Sequence, residues 1–282
     1  MKPVKVTCDS ACDLNTQLYH RYHIAAVPVR IQFDGTCRKE GIDVEPEEIC
    51  AYMHRTGKHP LSTAPTVAEY QTVFTEYIEQ GFQIVHICTS SSFSAACKNA
   101  RAAAQSLSDV FVVDSLNVSS GAGHLAILGV ELSHAGLSAA EIARALDEMK
   151  PRLATSFLLD SPNYMQKHGF RTTLSLLWAR LFHARPSVQV QRGQAHISKL
   201  FRGDWDHAMS AYLRSQLENQ SNVQHDRLFL TCTGITPEAI QKAIALIQEL
   251  QPFDDIIVTD AGCFSCCQGG PCSLGIHYLR TT

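Results

Sequence analysis

The densest set of candidate binding groups in the sequence lies between residues 84 and 105. Five hydroxyl side chains follow a short apolar run, within six positions: Thr89, Ser90, Ser91, Ser92 and Ser94. One serine would satisfy the free N–H groups at a helix start, so the others exceed that need. Hydroxyls beside the first turn of a helix can bind a small anion. The stretch predicts an anion site, with capping in a solvated polar loop as the alternative interpretation.

Short strands followed by helices must position these hydroxyls. Residues 84–88 predict a buried strand, and the alanine-rich residues 94–105 predict the helix that follows it. Residues 4–8 and 110–113 predict further strands, with Asp9 and Asp114 at their ends; each aspartate either orders its loop or touches a ligand. Since the carboxyl ends of parallel strands meet at one edge of a sheet, we expect these polar residues to lie together.

The remaining elements of the first half are also predicted from periodicity and turn residues. The expected order is a helix at 15–22, a strand at 25–33, a helix at 45–55, a hydroxyl-rich turn at 61–66, and helices at 67–79, 119–134 and 139–150. Pro28 inside the second strand predicts an edge position or a bulge.

The pattern changes after Pro151. We expect strands at 154–159, 228–232, 255–259 and 273–278, a hairpin of 186–190 with 194–198, and helices from Asn163, at 204–217 and at 237–250. A hairpin is antiparallel, so this half predicts a mixed sheet, whereas the first half predicts a parallel one. The sequence thus predicts an α/β protein with two domains, residues 1–152 and 153–282.

Composition narrows the function classes. The 282 residues are 45% hydrophobic and carry a formal net charge of −3, so the chain has no basic footprint for nucleic acid. No apolar run approaches the roughly 18 residues that span a bilayer, so we expect that the chain is not an integral membrane protein. The opening MKPVKVTC lacks the apolar segment of a signal peptide, which favours a cytoplasmic location. Eleven cysteines without an export signal are expected to be reduced thiols.

Four of those cysteines fall within ten residues, in the segment CFSCCQGGPC. They are Cys263, Cys266, Cys267 and Cys272. The C-x-x-C spacing is typical of a zinc site or a redox pair. A second C-x-x-C pair is absent from the sequence, and adjacent Cys266 and Cys267 cannot easily bind one ion. Thiols that serve as small packing residues are therefore the favoured interpretation, with zinc and redox chemistry as alternatives.

The hydroxyl-rich segments, taken in order, resemble the DegV family of bacterial fatty-acid-binding proteins. Six segments carry the resemblance: VTCDSACDL, VPVRIQFDG, STAPTVAEY, SSSFSAACKNA, VVDSLNVSSGAG and RPSVQVQRGQAHISKLFRG. The resemblance implies a three-layer α/β/α N-terminal domain, a two-layer C-terminal α/β domain, and an acyl chain buried in a tunnel between them. It also implies that no residue is catalytic, and that a fatty-acid kinase subunit can phosphorylate the bound ligand.

In the family, loop hydroxyls hold the carboxylate of the fatty acid. The matching positions of this sequence are Ser62, Thr63, Ser90, Ser91 and Ser94, with Arg171 retained from a further turn. Gln268 stands where the family has a histidine, in a CCQGGPC loop that we expect at the mouth of the tunnel. An amide can donate a hydrogen bond to a carboxylate but cannot exchange a proton near neutral pH. We therefore expect little pH dependence of binding between about pH 5.5 and 8.

A non-enzymatic fatty-acid carrier is the favoured interpretation, with the fatty acid as ligand and no other cofactor. The alternative class is an enzyme, either a phosphotransferase with a fold that resembles part of dihydroxyacetone kinases, or a thiol or metal redox protein built on the cysteine cluster. The sequence lacks a G-x-x-x-x-G-K-[ST] phosphate loop, which disfavours the phosphotransferase.

Overall fold

Two main sheets organise the chain in the computed structural model, which describes residues 2–161 and 184–281. The elements of the first half are β1 (Val4–Asp9), α1 (Thr16–Arg21), β2 (Ala25–Val27), β3 (Arg30–Phe33), β4 (Thr36–Lys39), α2 (Pro46–Thr56), β5 (Leu61–Thr63), α3 (Val67–Glu79), β6 (Gln83–Cys88), α4 (Ala96–Ala104), β7 (Val110–Asp114), α5 (Ser119–His134) and α6 (Ala139–Met149). Among the described residues, no helix is long and apolar enough to cross a bilayer.

The first main sheet has the strand order β2-β1-β6-β7, and all its pairs are parallel. Helices α5 and α6 bury Leu125 and Ile142 against one face, while α3 and α4 bury Phe74 and Ala100 against the other. Short runs such as residues 84–87 are therefore buried on both faces, as in a covered parallel sheet, and only His86 among these four is polar. The predicted three-layer arrangement is confirmed.

The prediction of one strand across residues 25–33 is wrong. The chain leaves the parallel sheet after Val27 and enters a separate antiparallel sheet, in the order β4-β3-β5. Pro28 has no N–H to donate to a strand ladder, and the next N–H, of Val29, donates to Ser10 Oγ instead. The same small sheet turns Leu61–Thr63, predicted as a turn, into a third strand.

The second half builds the six-stranded sheet. Its elements are β8 (Leu153–Leu159), β9 (Arg185–Gln191), β10 (Gln194–Phe201), α7 (Trp205–Leu217), β11 (Val223–Thr233), α8 (Pro237–Leu250), β12 (Asp255–Asp260), α9 (Cys263–Gly269) and β13 (Ser273–Arg280). The strand order is β10-β9-β8-β13-β11-β12, with β11 and β12 parallel and the other pairs antiparallel. The predicted hairpin and mixed sheet are confirmed, and the helical stretch predicted from Asn163 lies outside the described residues.

Helices α7 and α8 cover one face of this sheet, burying Tyr212, Leu213 and Ile247 with residues of β11 and β13. The second layer predicted for this domain is therefore present. Helix α9 instead packs towards the first half, where Phe264 and Cys266 share a core with Ile31 and Ile49. This shared core joins the two halves of the chain. The domain bounds 1–152 and 153–282 stay a prediction, in agreement with β8 beginning at Leu153.

Candidate functional site

A largely apolar cavity lies where the two halves of the chain meet. It contains about 610 Å³ of space free of protein atoms, part of it open to solvent. Both halves contribute to its lining, which consists of Phe93, Val118, Ser119, Phe157, Leu159, Val188, Val190, Ala195, Thr231, Ala261, Phe264, Ser265, Gln268, Gly269 and Ser273. A large apolar cavity with a few polar groups is typical of a site for an apolar ligand with one polar end.

Gln268 supplies an incompletely bonded polar group in this lining. Its Nε2 donates to Ser62 Oγ at 3.2 Å, while its Oε1 is buried without a hydrogen-bond partner. Rotating the amide by 180° exchanges the two ends, so that Ser62 donates to Oε1 and the NH₂ group becomes free to donate. In either orientation one end of the amide stays available. The pair can therefore bind a polar group at the cavity wall.

Strand pairing explains why Ser62 reaches Gln268 and Thr63 does not. Ser62 pairs with Ile31 of β3, whose side chain is buried in the core shared with α9. Successive side chains of a strand point to opposite faces, so Thr63 points away from that core. Its hydroxyl donates to the carbonyl of Arg30 at 3.3 Å. Of the two predicted residues in this turn, the structure brings only Ser62 to Gln268.

The serine-rich loop after β6 has mainly structural hydrogen bonds. Ser90 is fully buried, and its hydroxyl donates to the carbonyl of Gly193 at 2.9 Å, in the turn between β9 and β10. Ser94 Oγ accepts the N–H of Ala96 at 3.2 Å, at the start of α4. Ser91 is exposed, and its N–H donates to Asp114 Oδ1 at 3.2 Å. None of these three serines is among the lining residues of the cavity, to which the loop contributes Phe93, so the anion site stays a prediction.

Asp13 organises two cavity hydroxyls that the sequence analysis did not single out. Ser119 and Ser265 both line the cavity, and their hydroxyls donate to Asp13 Oδ2 at 2.6 and 2.5 Å. The N–H of Gly262 donates to the other oxygen at 3.0 Å. Burial raises the pKa of Asp13 to about 6, although these three hydrogen bonds oppose the shift. The signal available in the sequence was the DSACD loop, which holds a second acidic residue after Asp9.

Glu40 is a second buried carboxylate, located at the start of α9. It accepts hydrogen bonds from the Ser10 hydroxyl and the N–H of Cys263. Burial raises the pKa of Glu40 to about 7; the Ser10 bond opposes the shift, and the negative charge of Asp13 adds to it. Asp13 and Glu40 thus bind the free N–H groups at the start of α9, in the manner of helix caps supplied by the other half of the chain.

The prediction of a loop around Gln268 is wrong. Residues 263–269 are helical, which fixes the direction of Ser265 and Gln268 towards the cavity. Gly262 permits the close approach of both acids, because a Cβ there would overlap the Glu40 carboxylate and lie 2.9 Å from Asp13 Oδ1. The prediction that this segment lies beside the hydroxyls of the first domain is supported by the bond between Gln268 and Ser62.

The cysteine cluster has the features of packing residues. Cys263, Cys266 and Cys267 are buried in the core shared by both halves, and burial raises the pKa of Cys263 and Cys267 well above the ordinary thiol value. The thiols of Cys263 and Cys266 donate to the carbonyls of Val44 and Ala261. Burial also raises the pKa of Cys272, to about 12. Protonated, buried thiols disfavour a redox role, and within the described ranges these four do not converge as a metal-ligand set.

The remaining predicted residues have simple outcomes. Asp9 accepts the N–H of Thr89, and Asp114 accepts those of Ser91 and Leu116, so both order loops. Arg171 lies outside the described residues.

Known proteins share this sequence pattern and fold. A family model described as "Uncharacterised protein, DegV family" matches residues 3–281. A DegV domain-containing protein of Clostridium acetobutylicum is 24% identical over an alignment of 284 positions, which covers 99% of this chain and 99% of the relative. The solved structure of a fatty-acid-binding DegV family protein from Thermus thermophilus has a TM-score of 0.86 at 19% identity, covering 99% of this chain and 100% of that one.

A further solved structure is the fatty acid kinase B3 protein of Streptococcus pneumoniae, loaded with linoleic acid. It matches with a TM-score of 0.82 at 18% identity, covering 98% of this chain and 99% of that one. At such identities the two structures show a common fold.

Proposed function

We propose that this chain, which belongs to the DegV family, binds a long-chain fatty acid in the cavity between its two halves. The observation that carries the proposal is an apolar cavity, lined by both halves of the chain, whose wall contains the incompletely bonded amide of Gln268. An acyl chain gains about 0.8 kcal/mol for each methylene it buries, so such a cavity retains a long chain strongly. The Thermus thermophilus and Streptococcus pneumoniae relatives, whose names refer to fatty acids, support the ligand class.

Gln268 and Ser62 are the proposed head-group ligands. With the amide turned, Gln268 donates one N–H to the carboxylate while Ser62 stabilises the amide oxygen, so the two act as a unit. Hydrogen bonds to a charged carboxylate are about twice as strong as bonds between neutral groups. Ser119 and Ser265 are nearby hydroxyls, but both donate to Asp13 and are not free while that group is ionised.

Other predicted residues are not assigned to the head group. Thr63, Ser90 and Ser94 use their hydroxyls or oxygen atoms in bonds within the protein, and Ser91 is exposed. Arg171 lies outside the described residues, so its assignment stays a prediction. The proposed activity is binding without catalysis, and the cytoplasmic location expected from the sequence also stays a prediction.

A kinase partner is a finer part of the proposal. One structural relative is a fatty acid kinase B3 protein, which supports presentation of the bound acid to a kinase subunit. Gln268 cannot carry a proton near neutral pH, whereas a histidine could. We therefore expect this chain to be a poor partner, improved by Gln268→His. Equal phosphorylation of the ligand by wild-type protein and the histidine variant, with the same kinase, would contradict the role given to this position.

The ligand itself is tested on protein purified from cells without added lipid. Denaturing extraction followed by lipid mass spectrometry should recover a long-chain fatty acid in stoichiometric amount. Displacement of a fluorescent fatty acid by palmitate should then weaken roughly 10-fold to 100-fold in Gln268→Ala, because one charge-assisted hydrogen bond is lost. Ser92→Ala, in an exposed part of the serine-rich loop, is the control. Absence of any acyl chain, together with no palmitate binding, would refute the proposal.

A further inference from the structure

Three side chains with metal-binding atoms converge inside the first half of the chain, away from the cavity. They are Asp9 at the end of β1, and His86 and Cys88 on β6. One ligand atom from each lies within 4.8 Å of the other two, and all three residues are fully buried. Strand geometry explains the grouping, because His86 and Cys88 are two positions apart on one strand and share a face. Thr7 pairs with His86, so Asp9, two positions further along β1, shares that face.

His86 is the side chain whose bonding is incomplete. Its Nδ1 lies 2.8 Å from Thr7 Oγ1, a hydrogen bond, but its Nε2 is buried without one. The nearest charged atom to Nε2 is Asp9 Oδ1 at 3.4 Å, a contact that does not form a hydrogen bond. If Thr7 accepts from Nδ1, then a nitrogen lone pair and a carboxylate oxygen face each other at this distance. Such an arrangement is unfavourable unless a cation lies between them.

The distance between the His86 and Asp9 atoms suits a metal ion. Ligands that bind zinc tetrahedrally at about 2.0 to 2.3 Å are separated from one another by roughly 3.3 to 3.8 Å. The 3.4 Å between His86 Nε2 and Asp9 Oδ1 falls in that interval, although it is long for a hydrogen bond between charged partners. The Cys88 thiol completes a set of nitrogen, oxygen and sulfur donors. Zinc accepts all three types.

An outer shell of hydrogen bonds already holds the candidate ligands. Tyr70 donates its hydroxyl to Asp9 Oδ1 at 2.5 Å, and the N–H of Thr89 donates to Asp9 Oδ2 at 2.7 Å. Thr7 holds the other nitrogen of His86. Metal sites commonly fix ligating histidines and carboxylates through such second contacts. Hydrogen bonds in the described structure therefore hold two of the three donors, Asp9 and His86, in place.

We propose that Asp9, His86 and Cys88 form a buried site for a divalent transition metal, with zinc as the preferred ion. Binding would deprotonate the Cys88 thiol, so that a sulfur–metal bond replaces the S–H bond and the proton passes to solvent. The site shares no residue with the Cys263–Cys272 cluster or with the described lining of the cavity.

The position of the site gives it a structural consequence. Asp9 Oδ2 holds the N–H of Thr89, and Cys88 directly precedes the serine-rich loop. A metal here would fix the start of that loop, and with it Ser90 and Phe93. Because the ligands are fully buried, the ion is expected to enter during folding rather than by exchange into the folded protein.

The test uses untagged full-length protein, unfolded in denaturant with chelator and refolded with zinc, with cobalt, or with chelator alone. We expect about one equivalent of zinc by elemental analysis, and a melting temperature about 5 °C above that of the chelator sample. The cobalt sample should show absorption from a cobalt–thiolate bond. Cys88→Ser should lose the zinc, whereas Cys37→Ser, at an exposed thiol, should retain it.

A double variant, Cys263→Ser with Cys266→Ser, separates this site from the C-terminal cluster. Retention of zinc and of the cobalt–thiolate absorption in that variant supports the proposal, even where Cys88→Ser fails to fold. Loss of the metal in the double variant would overturn it. So would refolded wild-type protein that contains no metal above the buffer level and melts at the same temperature with zinc as with chelator, since Asp9 and His86 would then be an ordinary buried pair.

Discussion

Two hydroxyl-rich segments of the chain, residues 61–66 and 89–94, have different roles. In the first, Ser62 lies on a strand that points it at Gln268 in the cavity wall. In the second, the Ser90 hydroxyl donates to the carbonyl of Gly193 in the hairpin turn, and Ser94 Oγ accepts the N–H of Ala96 at the start of a helix. The difference teaches that hydroxyl content marks where binding is feasible, while strand direction and neighbouring carbonyls decide whether a hydroxyl is free for a ligand.

The largest effect is expected from a substitution that disturbs the start of α9, the helix that carries Gln268. Gly262→Ala places a Cβ against the Glu40 and Asp13 carboxylates that hold the start of α9. Overpacking of a buried contact costs about 1 to 3 kcal/mol, so we expect a clear fall in the free energy of unfolding and weaker fatty-acid binding. Denaturant titration measures the former.

Gly129→Ala is the matched control for this change. Gly129 lies inside α5, and a Cβ there would make ordinary contacts at 3.5 Å with Leu146 and Val6. Alanine is favoured over glycine in a helix by roughly 0.8 to 1 kcal/mol, so this variant should be as stable as wild type or more so. Equal stability of the two variants would contradict the close approach assigned to Gly262.

Low pH should stabilise the folded protein through the two carboxyl groups at the start of α9. The pKa values of Asp13 and Glu40 are raised by burial to about 6 and about 7, above the ordinary 3.8 and 4.5. A raised pKa in the folded state adds stability at low pH, and this is lost as pH rises through the folded value. From these two groups alone, the free energy of unfolding should be roughly 2 to 3 kcal/mol higher at pH 5.5 than at pH 8.

Glu40→Gln isolates the larger share of that effect, because glutamine keeps the shape and cannot titrate. Urea unfolding across the pH range should show a flatter profile for this variant than for wild type. A wild-type profile that rises with pH would refute the account. From the sequence, little pH dependence of binding is expected because Gln268 stands where the family has a histidine; in the structure, Asp13 and Glu40 at the start of α9 are carboxyl groups whose pKa is raised by burial.

Ser62 and Thr63 are neighbours on β5 whose side chains point to opposite faces, so comparing them tests which face contacts the ligand. Ser62→Ala removes the partner that orients Gln268, so the affinity for palmitate should fall by about 1 to 2 kcal/mol. Thr63→Ala removes a bond to the Arg30 carbonyl on the other face and should leave the affinity unchanged. Fluorescent fatty-acid displacement measures both. Equal losses in the two variants would mean that the strand does not separate their roles.

The smallest effect is expected in the second segment. Ser90→Ala leaves the Gly193 carbonyl without its buried donor, so the free energy of unfolding should fall by about 1 kcal/mol. Palmitate affinity should be unchanged, because the Ser90 hydroxyl does not line the cavity among the described residues. Thermal unfolding and the displacement assay together distinguish the two outcomes. A loss of affinity with unchanged stability would return Ser90 to the head-group set.

Periodicity in the sequence was sufficient for most of the fold. Buried β-branched runs such as 84–88 predicted the parallel sheet, and the Arg192-Gly193 turn predicted the hairpin, because both signals are local. The order of six weak motifs predicted the family, which the family model confirms. Pro28 was recognised as an irregularity, but the move to a second sheet was not, since three-residue strands such as β5 have too little periodicity to detect.

The site was harder to predict because its contacts are distant in sequence. The cap that makes residues 263–269 helical comes from Glu40, 223 positions before Cys263. Ser119 and Ser265 look like ordinary loop or helix serines until Asp13 brings them together. Gln268 was identified only because the resemblance aligned it with a histidine. Local pattern thus located the candidate hydroxyls, and tertiary contacts decided which of them face the cavity.

Nuclear magnetic resonance of palmitate labelled with ¹³C at its carboxyl carbon tests the central claim most directly. Bound to wild-type protein, the label should give one resonance distinct from that of free palmitate. That resonance should shift in Ser62→Ala and in Gln268→Ala and stay in place in Ser90→Ala, because only the first two alter the proposed head-group contact. A bound resonance that is unchanged by both Ser62→Ala and Gln268→Ala, or the absence of any bound resonance, would contradict the account.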